Sequence, residues 1–450
     1  MRSTSSQTLV GRRGVATLLA VALVTGLALA GASTSPAQEA RPPEAAAERA
    51  DLPSQLAQLF DAVVDAIQKS FWDKERLAEA NWAERARQER ANVLAAPSLE
   101  EAARRINALI GELKTSHTVL LTPDDVDYYV LRGVFSRGRS TYAGIGLFSV
   151  RIDGRDFVDL LLEGYPADYA GLKVGDEIVS VDGEPYHPIR SFRGKIGKDA
   201  AVGVRRTEGG PVVTVDVDVV GIEPLAAFSE ATLTSTRVIE REGRRIGYVH
   251  VWASLSPFEK VLAEGLARLG AARWPDRKRP RTTPAVDALI VDMRGKIGGV
   301  VNVATRYLEI IDPRGPDISW RGGARGAPAS MRGRTAVLID HHTRSTAEVF
   351  VHSYKRERQG PLIGTTTAGA VSGGSAIIMP GDNLLHVAVS GLTVDGDIIE
   401  GNGVAPDTVV RRPIPYSGGA DPVLDAAVGL LATRVPRHAP VQHDPKGTSQ

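Results

Sequence analysis

The spacing of apolar residues changes twice along the chain, and each change sets a different fold class. From Leu52 to about Leu113, apolar residues recur at helical intervals, as in Leu56, Leu59, Phe60, Val63, Val64 and Ile67. From about Thr141 to Val220 the period falls to two, in the short runs Ala143–Phe148, Phe157–Leu162, Glu177–Val181 and Val212–Val219, divided by Gly and Asp. From Ile246 onward, strands alternate with helices: strands at Ile246–Trp252, Ala288–Asp292, Thr335–Asp340 and Leu362–Thr365, helices at Pro257–Leu269, Val300–Ile311 and Ala347–Arg356. A hairpin follows at Ser375–Met379 and His386–Ser390. This pattern predicts a multidomain α/β protein: a helical N-terminal segment, a β-rich module and a core of βαβ units.

The composition removes several classes of function. The chain has 450 residues, room for about three domains, and is 43% hydrophobic and 24% charged, which excludes wholesale disorder. Lys and Arg number 54 against 53 Asp and Glu, so no global basic field favours nucleic acid as a partner. With no Cys, there is no disulfide, no Cys-based zinc site, no thiol nucleophile and no thiol lipid anchor.

The amino terminus reads as an export signal. Arg2, Arg12 and Arg13 precede an apolar run from Val15 to Ala30, small residues follow, and no acid occurs before Glu39. Ser35-Pro36-Ala37 is a candidate cleavage site and Ala30-Gly31-Ala32 a second. An uncleaved anchor is the alternative, but the run is shorter than the ~20 residues that span a bilayer. Arg12-Arg13 leaves twin-arginine export open. The expected layout is a signal peptide over 1–37, a linker over 38–50, a helical segment over 51–122, the β-rich module over 140–225, the α/β core over 226–432 and a disordered tail over 433–450. In the helical segment, Ser98 reads as an N-cap followed by Glu100 and Glu101. After removal of the signal, no stable membrane insertion is expected.

Two loops of the α/β region carry chemistry. Asp292-Met293-Arg294-Gly295-Lys296-Ile297-Gly298-Gly299 joins a strand to a helix, and Gly298 and Gly299 free the backbone to approach a ligand. It lacks the spacing of a dinucleotide fingerprint or P-loop. In Asp340-His341-His342-Thr343-Arg344-Ser345-Thr346-Ala347-Glu348, Ser345 stands where strand gives way to helix, exposed as a nucleophile would be, with the Thr346 N–H available to an oxyanion. On local sequence alone, the same residues read first as a helix cap, with Ser345 or Thr343 as N-cap and Glu348 closing a capping box.

The residues Gly164 to Gly183, with Gly171-Leu172, Gly175-Asp176, Ile178 and Val181-Asp182-Gly183, resemble a PDZ domain. By that resemblance Gly144-Ile145-Gly146-Leu147 is the loop that holds a peptide carboxylate through backbone N–H groups, beside a strand edge open to the peptide. In order along the chain, Thr115-Ser116-His117-Thr118, the PDZ stretch, Asp292 to Gly299, Ser345 to Glu348, Gly364 to Gly369 and Glu400 to Asp407 resemble the carboxy-terminal processing serine peptidases and their tricorn-core relatives. The resemblance implies a crotonase-like peptidase core that works without cofactor or metal on peptides or unfolded proteins, with the PDZ capturing a free C-terminus or gating the site. In the tail-specific branch a lysine stands 25 residues after the serine; here that position is Ala370. The tricorn-like branch fits instead: Ser345 as nucleophile, His117 as general base, Ser116 and Glu400 as its support, and Gly298, Gly299 and Thr346 as oxyanion donors. Arg344, Thr346-Ala347 and Lys296-Ile297 depart from the family's strings. A noncatalytic peptide or apolar-ligand binder of the same fold is the rival, and a scaffold using only the PDZ a third. His341-His342 invites a metal reading, but adjacent strand residues point to opposite faces. The basic stretch Arg273 to Arg281 reads as a solvated loop.

Overall fold

The computed structural model describes residues 43–135, 140–270, 286–295, 297–311, 331 and 333–434, with side chains from residue 51. The chain divides into Met1–Arg49 and Ala50–Gln450, and the second unit carries the architecture below. The expected signal peptide, the tail beyond residue 434, the basic Arg273–Arg281 stretch and Lys296 lie outside the described residues.

Four helices open the fold: α1 (Pro43–Ser70), α2 (Lys74–Glu79), α3 (Trp82–Leu94) and α4 (Leu99–Gly111). α1 begins inside the stretch read as a linker. The Glu-Ala-Ala-Ala-Glu run there has high helix propensity, and Pro43 suits a first helical position. Ser98 caps α4, its side chain accepting from the Glu101 N–H at 3.2 Å. Leu56, Phe60, Val63 and Ile67 of α1 meet Trp82 and Val93 of α3 and Ile106 and Leu109 of α4 in one buried cluster. Then come β1 (Val119–Leu121) and α5 (Val126–Phe135).

The β-rich module contains β2 (Tyr142–Gly144), β3 (Leu147–Ile152), β4 (Arg155–Leu161), the short α6 (Pro166–Tyr169), β5 (Glu177–Val181), β6 (Glu184–Pro185), β7 (Asp199–Arg205), β8 (Val212–Asp218) and β9 (Val220–Ile222). Its sheet runs β3-β4-β5-β7-β8, so β3 lies at an edge, while β2 pairs with β9. Val158, Ile178, Val202, Val204 and Phe192 fill its core.

The core follows with α7 (Pro224–Ser235), β10 (Arg237–Arg241), β11 (Arg244–His250), α8 (Phe258–Arg268), β12 (Ala288–Asp292), α9 (Val301–Ile311), β13 (Thr335–Ile339), α10 (Thr346–Arg356), β14 (Leu362–Gly364), β15 (Gly373–Met379), β16 (Asn383–Ser390), β17 (Thr408–Val409) and α11 (Pro422–Arg434). Its sheet has the order β10-β11-β12-β13-β14-β17. Only the β10–β11 pair is antiparallel. Alternate residues face opposite layers. Val249, Val291, Val337 and Ile339 meet Leu262, Tyr307 and Phe350 from α8, α9 and α10. Tyr248, Ile290, Leu338 and Ile363 meet Val423, Ala427 and Leu431 of α11. Covering both faces explains why β12 and β13 are apolar runs rather than alternating ones. Each large apolar side chain so buried contributes about 1.5–3 kcal/mol over leaving it in water. Separately, β15 and β16 form a hairpin, and β1 adds to it with Val119 opposite His386.

The β-rich module is tied to the core at several points. Phe148 stacks on Trp252 at 5.8 Å between ring centres. The Glu163 carboxylate contacts His250 Nδ1 at 2.7 Å and accepts from Trp252 Nε1 at 2.8 Å. Asp159 accepts from Arg412 at 2.8 Å, and its other oxygen lies 3.0 Å from His342 Nε2.

Candidate active site

The parallel strands β12 and β13 end side by side, and the loops leaving their carboxyl ends build the site, the usual place for one in an open α/β sheet. The first loop is anchored at its root. Asp292 binds Arg294 through three side-chain contacts of 2.6–3.1 Å, and Arg294 forks onto Asp421 at 2.8 and 2.6 Å. His250 Nε2 lies 2.9 Å from the Arg294 carbonyl. Burial opposes the charge on His250, but Glu163 and Asp292 beside it outweigh that and raise its pKa to about 9.

The second loop begins with Asp340, whose Oδ1 accepts the N–H groups of His342 and Thr343 at 2.9 and 3.1 Å. Thr343 Oγ1 reaches across to the Met293 carbonyl at 3.0 Å, joining the two loops. Ser345 then turns the chain into α10 with φ 57° and ψ −126°. A non-glycine residue held there carries backbone strain of about 1–3 kcal/mol. Glu348 restrains it: its carboxylate accepts from the N–H groups of Ser345 (3.2 Å), Gly369 (2.7 Å) and Ala370 (2.7 Å) and from Thr367 Oγ1 (2.5 Å). The capping-box spacing is therefore real, and it serves the turn as well as the helix. Burial pushes the Glu348 carboxyl above its usual range, against these donors.

Gly298 lies beside Ser345: a Cβ on Gly298 would fall 2.6 Å from Ser345 Cβ and 3.0 Å from its Oγ. Gly299 instead packs on Ser254, where a Cβ would meet the Ser254 carbonyl oxygen at 2.0 Å. Thr346 is the first residue of α10 and buried, so its N–H belongs to the group without an intrahelical acceptor.

Ser116 and His117 stand between α4 and β1, far away in sequence. Glu400 reaches them: Oε1 accepts the Ser116 N–H at 2.8 Å and Oε2 its hydroxyl at 2.9 Å. Ser116 Oγ also lies 2.8 Å from His117 Nδ1. The same Oε2 accepts the N–H groups of Val371 and Ser372 at 2.8 and 2.9 Å. The residue before Val371 is Ala370, whose carbonyl accepts the Ser345 N–H at 2.8 Å. Residues 370–372 thus join the Ser345 turn to the Glu400–Ser116–His117 chain. Burial raises the Glu400 carboxyl, but the Ser116, Val371 and Ser372 donors outweigh it and leave the pKa below its usual value. Burial, and next the positive charge of Arg344, lower the His117 pKa to about 4.

One histidine of the site has no sequence signal. His386 is buried, its ring 5.1 Å from that of His117, and its Nε2 has no hydrogen-bond partner among the described residues. A strand residue in an alternating run looks like any other until β1 docks beside it. The adjacent pair His341 and His342 does not share a ligand set; His342 faces Asp159 instead. At the expected peptide loop, β2 ends at Gly144, Gly146 takes φ 84°, and Leu147 opens the edge strand β3.

Comparison with known proteins agrees with this architecture. Residues 245–410 match Peptidase family S41 and residues 157–193 match the PDZ domain. Over those two stretches the chain is similar to the S41 peptidases and to PDZ domains. It is 27% identical over 414 residues to tricorn protease homolog 2 of Streptomyces coelicolor, covering 84% of this chain and 32% of that one. It is 25% identical over 295 residues to the carboxy-terminal processing protease CtpB of Bacillus subtilis, covering 62% and 58%. The chain thus spans about a third to three fifths of the length of these relatives. Among solved structures, a CPAF mutant superposes with a TM-score of 0.50 at 12% identity, over 86% of this chain and 99% of that one, a likeness of fold.

Proposed function

We propose that the protein is an exported serine endopeptidase that hydrolyses peptide bonds in peptides or unfolded proteins by a Ser–His mechanism. Ser345 Oγ attacks the scissile carbonyl, and His117 Nε2 takes its proton and passes it to the leaving amine. The observation that carries this reading is the hydrogen-bonded chain Glu400–Ser116–His117, joined to the Ser345 turn through residues 370–372. The Ser116 hydroxyl spends its proton on Glu400, so it accepts from His117 Nδ1–H. That tautomer leaves Nε2 with a free lone pair, the state a general base needs. The lowered pKa keeps His117 unprotonated at neutral pH.

Backbone N–H groups of Gly298, Gly299 and Thr346 stabilise the oxyanion, at about 2.7–4 kcal/mol per donor. Gly298 is the best placed, because a side chain there would collide with Ser345. The loop Gly144-Ile145-Gly146-Leu147 and the edge of β3 receive a substrate C-terminus by strand addition. The 1–37 segment directs export to the periplasm or exterior, and the mature layout is helical segment, PDZ domain, peptidase core and tail. Among the described residues no helix is long and apolar enough to cross a membrane.

The test is labelling with a fluorophosphonate probe, wild type beside Ser345→Ala, His117→Ala and Lys296→Ala. Label should vanish in the first two variants and persist in the third. A folded wild type that takes no label overturns the reading.

A further inference from the structure

Arg344, immediately before Ser345, is exposed. Its backbone is held, with the carbonyl accepting the Ala347 N–H at 3.1 Å. Its guanidinium makes no hydrogen bond or ion pair among the described residues, unlike the other arginines near the site. Arg294 is held by Asp292 and Asp421, Arg412 by Asp159, and Arg132 by Asp382. Yet its charge is felt across the site. Burial is the larger cause that lowers the pKa of His117 and of His386, and the Arg344 charge adds to it in both. An exposed cation with no side-chain partner among the described residues thus stands one residue before Ser345, near enough to His117 for its charge to act there.

We propose that Arg344 is the anion-reading group of the cleft and takes a substrate carboxylate, from an acidic side chain or from the chain terminus, close to the scissile bond. The inference rests on Ser345 being the nucleophile. A planar guanidinium matches a carboxylate through two parallel hydrogen bonds. A neutral substrate covering the same cation would strip its water without replacing it, so selection works by attraction and by rejection. An extended peptide advances about 3.3–3.6 Å per residue, so a side chain anchored next to Ser345 reads only the one or two residues flanking the cut.

The test measures binding, so it does not need turnover. Fluorescein-labelled decapeptides of one unstructured sequence carry Glu or Gln at each position in turn with an amidated end, and one all-neutral peptide is also made with a free carboxylate. They are titrated against Ser345→Ala, Ser345→Ala with Arg344→Gln, and Ser345→Ala with Arg344→Lys. Expected is a preference of about tenfold for a carboxylate-bearing peptide over its neutral match, the scale of one charge-assisted pair. Arg344→Gln should cut it to within about twofold, and Arg344→Lys should restore part of it. Loss confined to Glu peptides identifies a side chain as the source; loss confined to the free-acid peptide identifies the terminus. Capture of the free-acid peptide by the PDZ domain is the same in all three proteins, so the Arg344 effect is read as the change in discrimination between proteins, and the amidated Glu peptides report it without a PDZ contribution. Equal discrimination with and without Arg344, or none in either, overturns the proposal. Failure of wild type to take the fluorophosphonate overturns the nucleophile assignment separately.

Discussion

Glu348 and Glu400 are both carboxylates that gather backbone N–H groups around the site, and they do so in opposite ways. Glu348 is buried and holds a neighbour three residues away together with the 367–370 loop. Glu400 is half-buried and bridges Ser116 to Val371 and Ser372 across 284 and 29 residues of sequence. The Ser345 turn is thus built locally and closed inside the core, whereas His117 is delivered by tertiary closure. A group that only holds backbone should cost stability when removed. A group that also sets the state of a histidine should cost rate.

The largest effect expected is from Glu348→Leu, which strands several buried donors at about 1–3 kcal/mol each. Urea unfolding should show a loss of about 4 kcal/mol or more, and fluorophosphonate labelling should fall with it. Glu400→Gln keeps the shape but removes the charge that orients Ser116 and His117. Its turnover should drop by about 100-fold, as expected for a base left in the wrong tautomer, with unfolding changed by about 1–3 kcal/mol, the cost of one N–H left facing the new amide. Equal losses of stability in both variants would dissolve the distinction between the two carboxylates.

Smaller effects sharpen it. In the proposed mechanism His117 acts unprotonated, and its pKa is lowered to about 4, so kcat/KM should stay level down to weakly acidic pH and fall only near pH 4. Arg344→Gln removes a charge that depresses this pKa, so the acid limb should move to higher pH, by less than about one unit. Across the PDZ contact, His250 has its pKa raised to about 9. A raised folded-state pKa gives stability that is complete below the unfolded value of ~6.5 and is lost as pH rises through about 9. The urea midpoint of wild type should therefore decline between pH 6.5 and 9.5, and that decline should flatten in Glu163→Gln.

What the sequence made legible follows the same division. The cap at Ser98, the spacing of Ser345 and Glu348, and the strand runs of the core are local, and local spacing predicts them. The 43–50 helix was hidden because two prolines beside it, Pro42 and Pro43, look like spacer; the second is a helix start. The Ser116–His117–Glu400 assembly cannot be read from spacing at all, since its members are joined only by folding. The order of motifs shared with a known family pointed to it. His386, Asp159 and Glu163 escaped even that, because single residues on strands and turns gain meaning only from what packs against them.

The contacts of Asp159 and Glu163 also bear on how such a chain can be recombined. A PDZ exchange by cut and join would leave His250, Trp252 and Arg412 facing a foreign surface, all three deprived of their acids. A chimera that transplants the domain must therefore carry carboxylates at these two positions with it. By the same logic, Phe148 of β3 must stay matched to Trp252 as Asp159 and Glu163 stay matched to their partners, so lineages can vary the module only on surfaces that face away from the core.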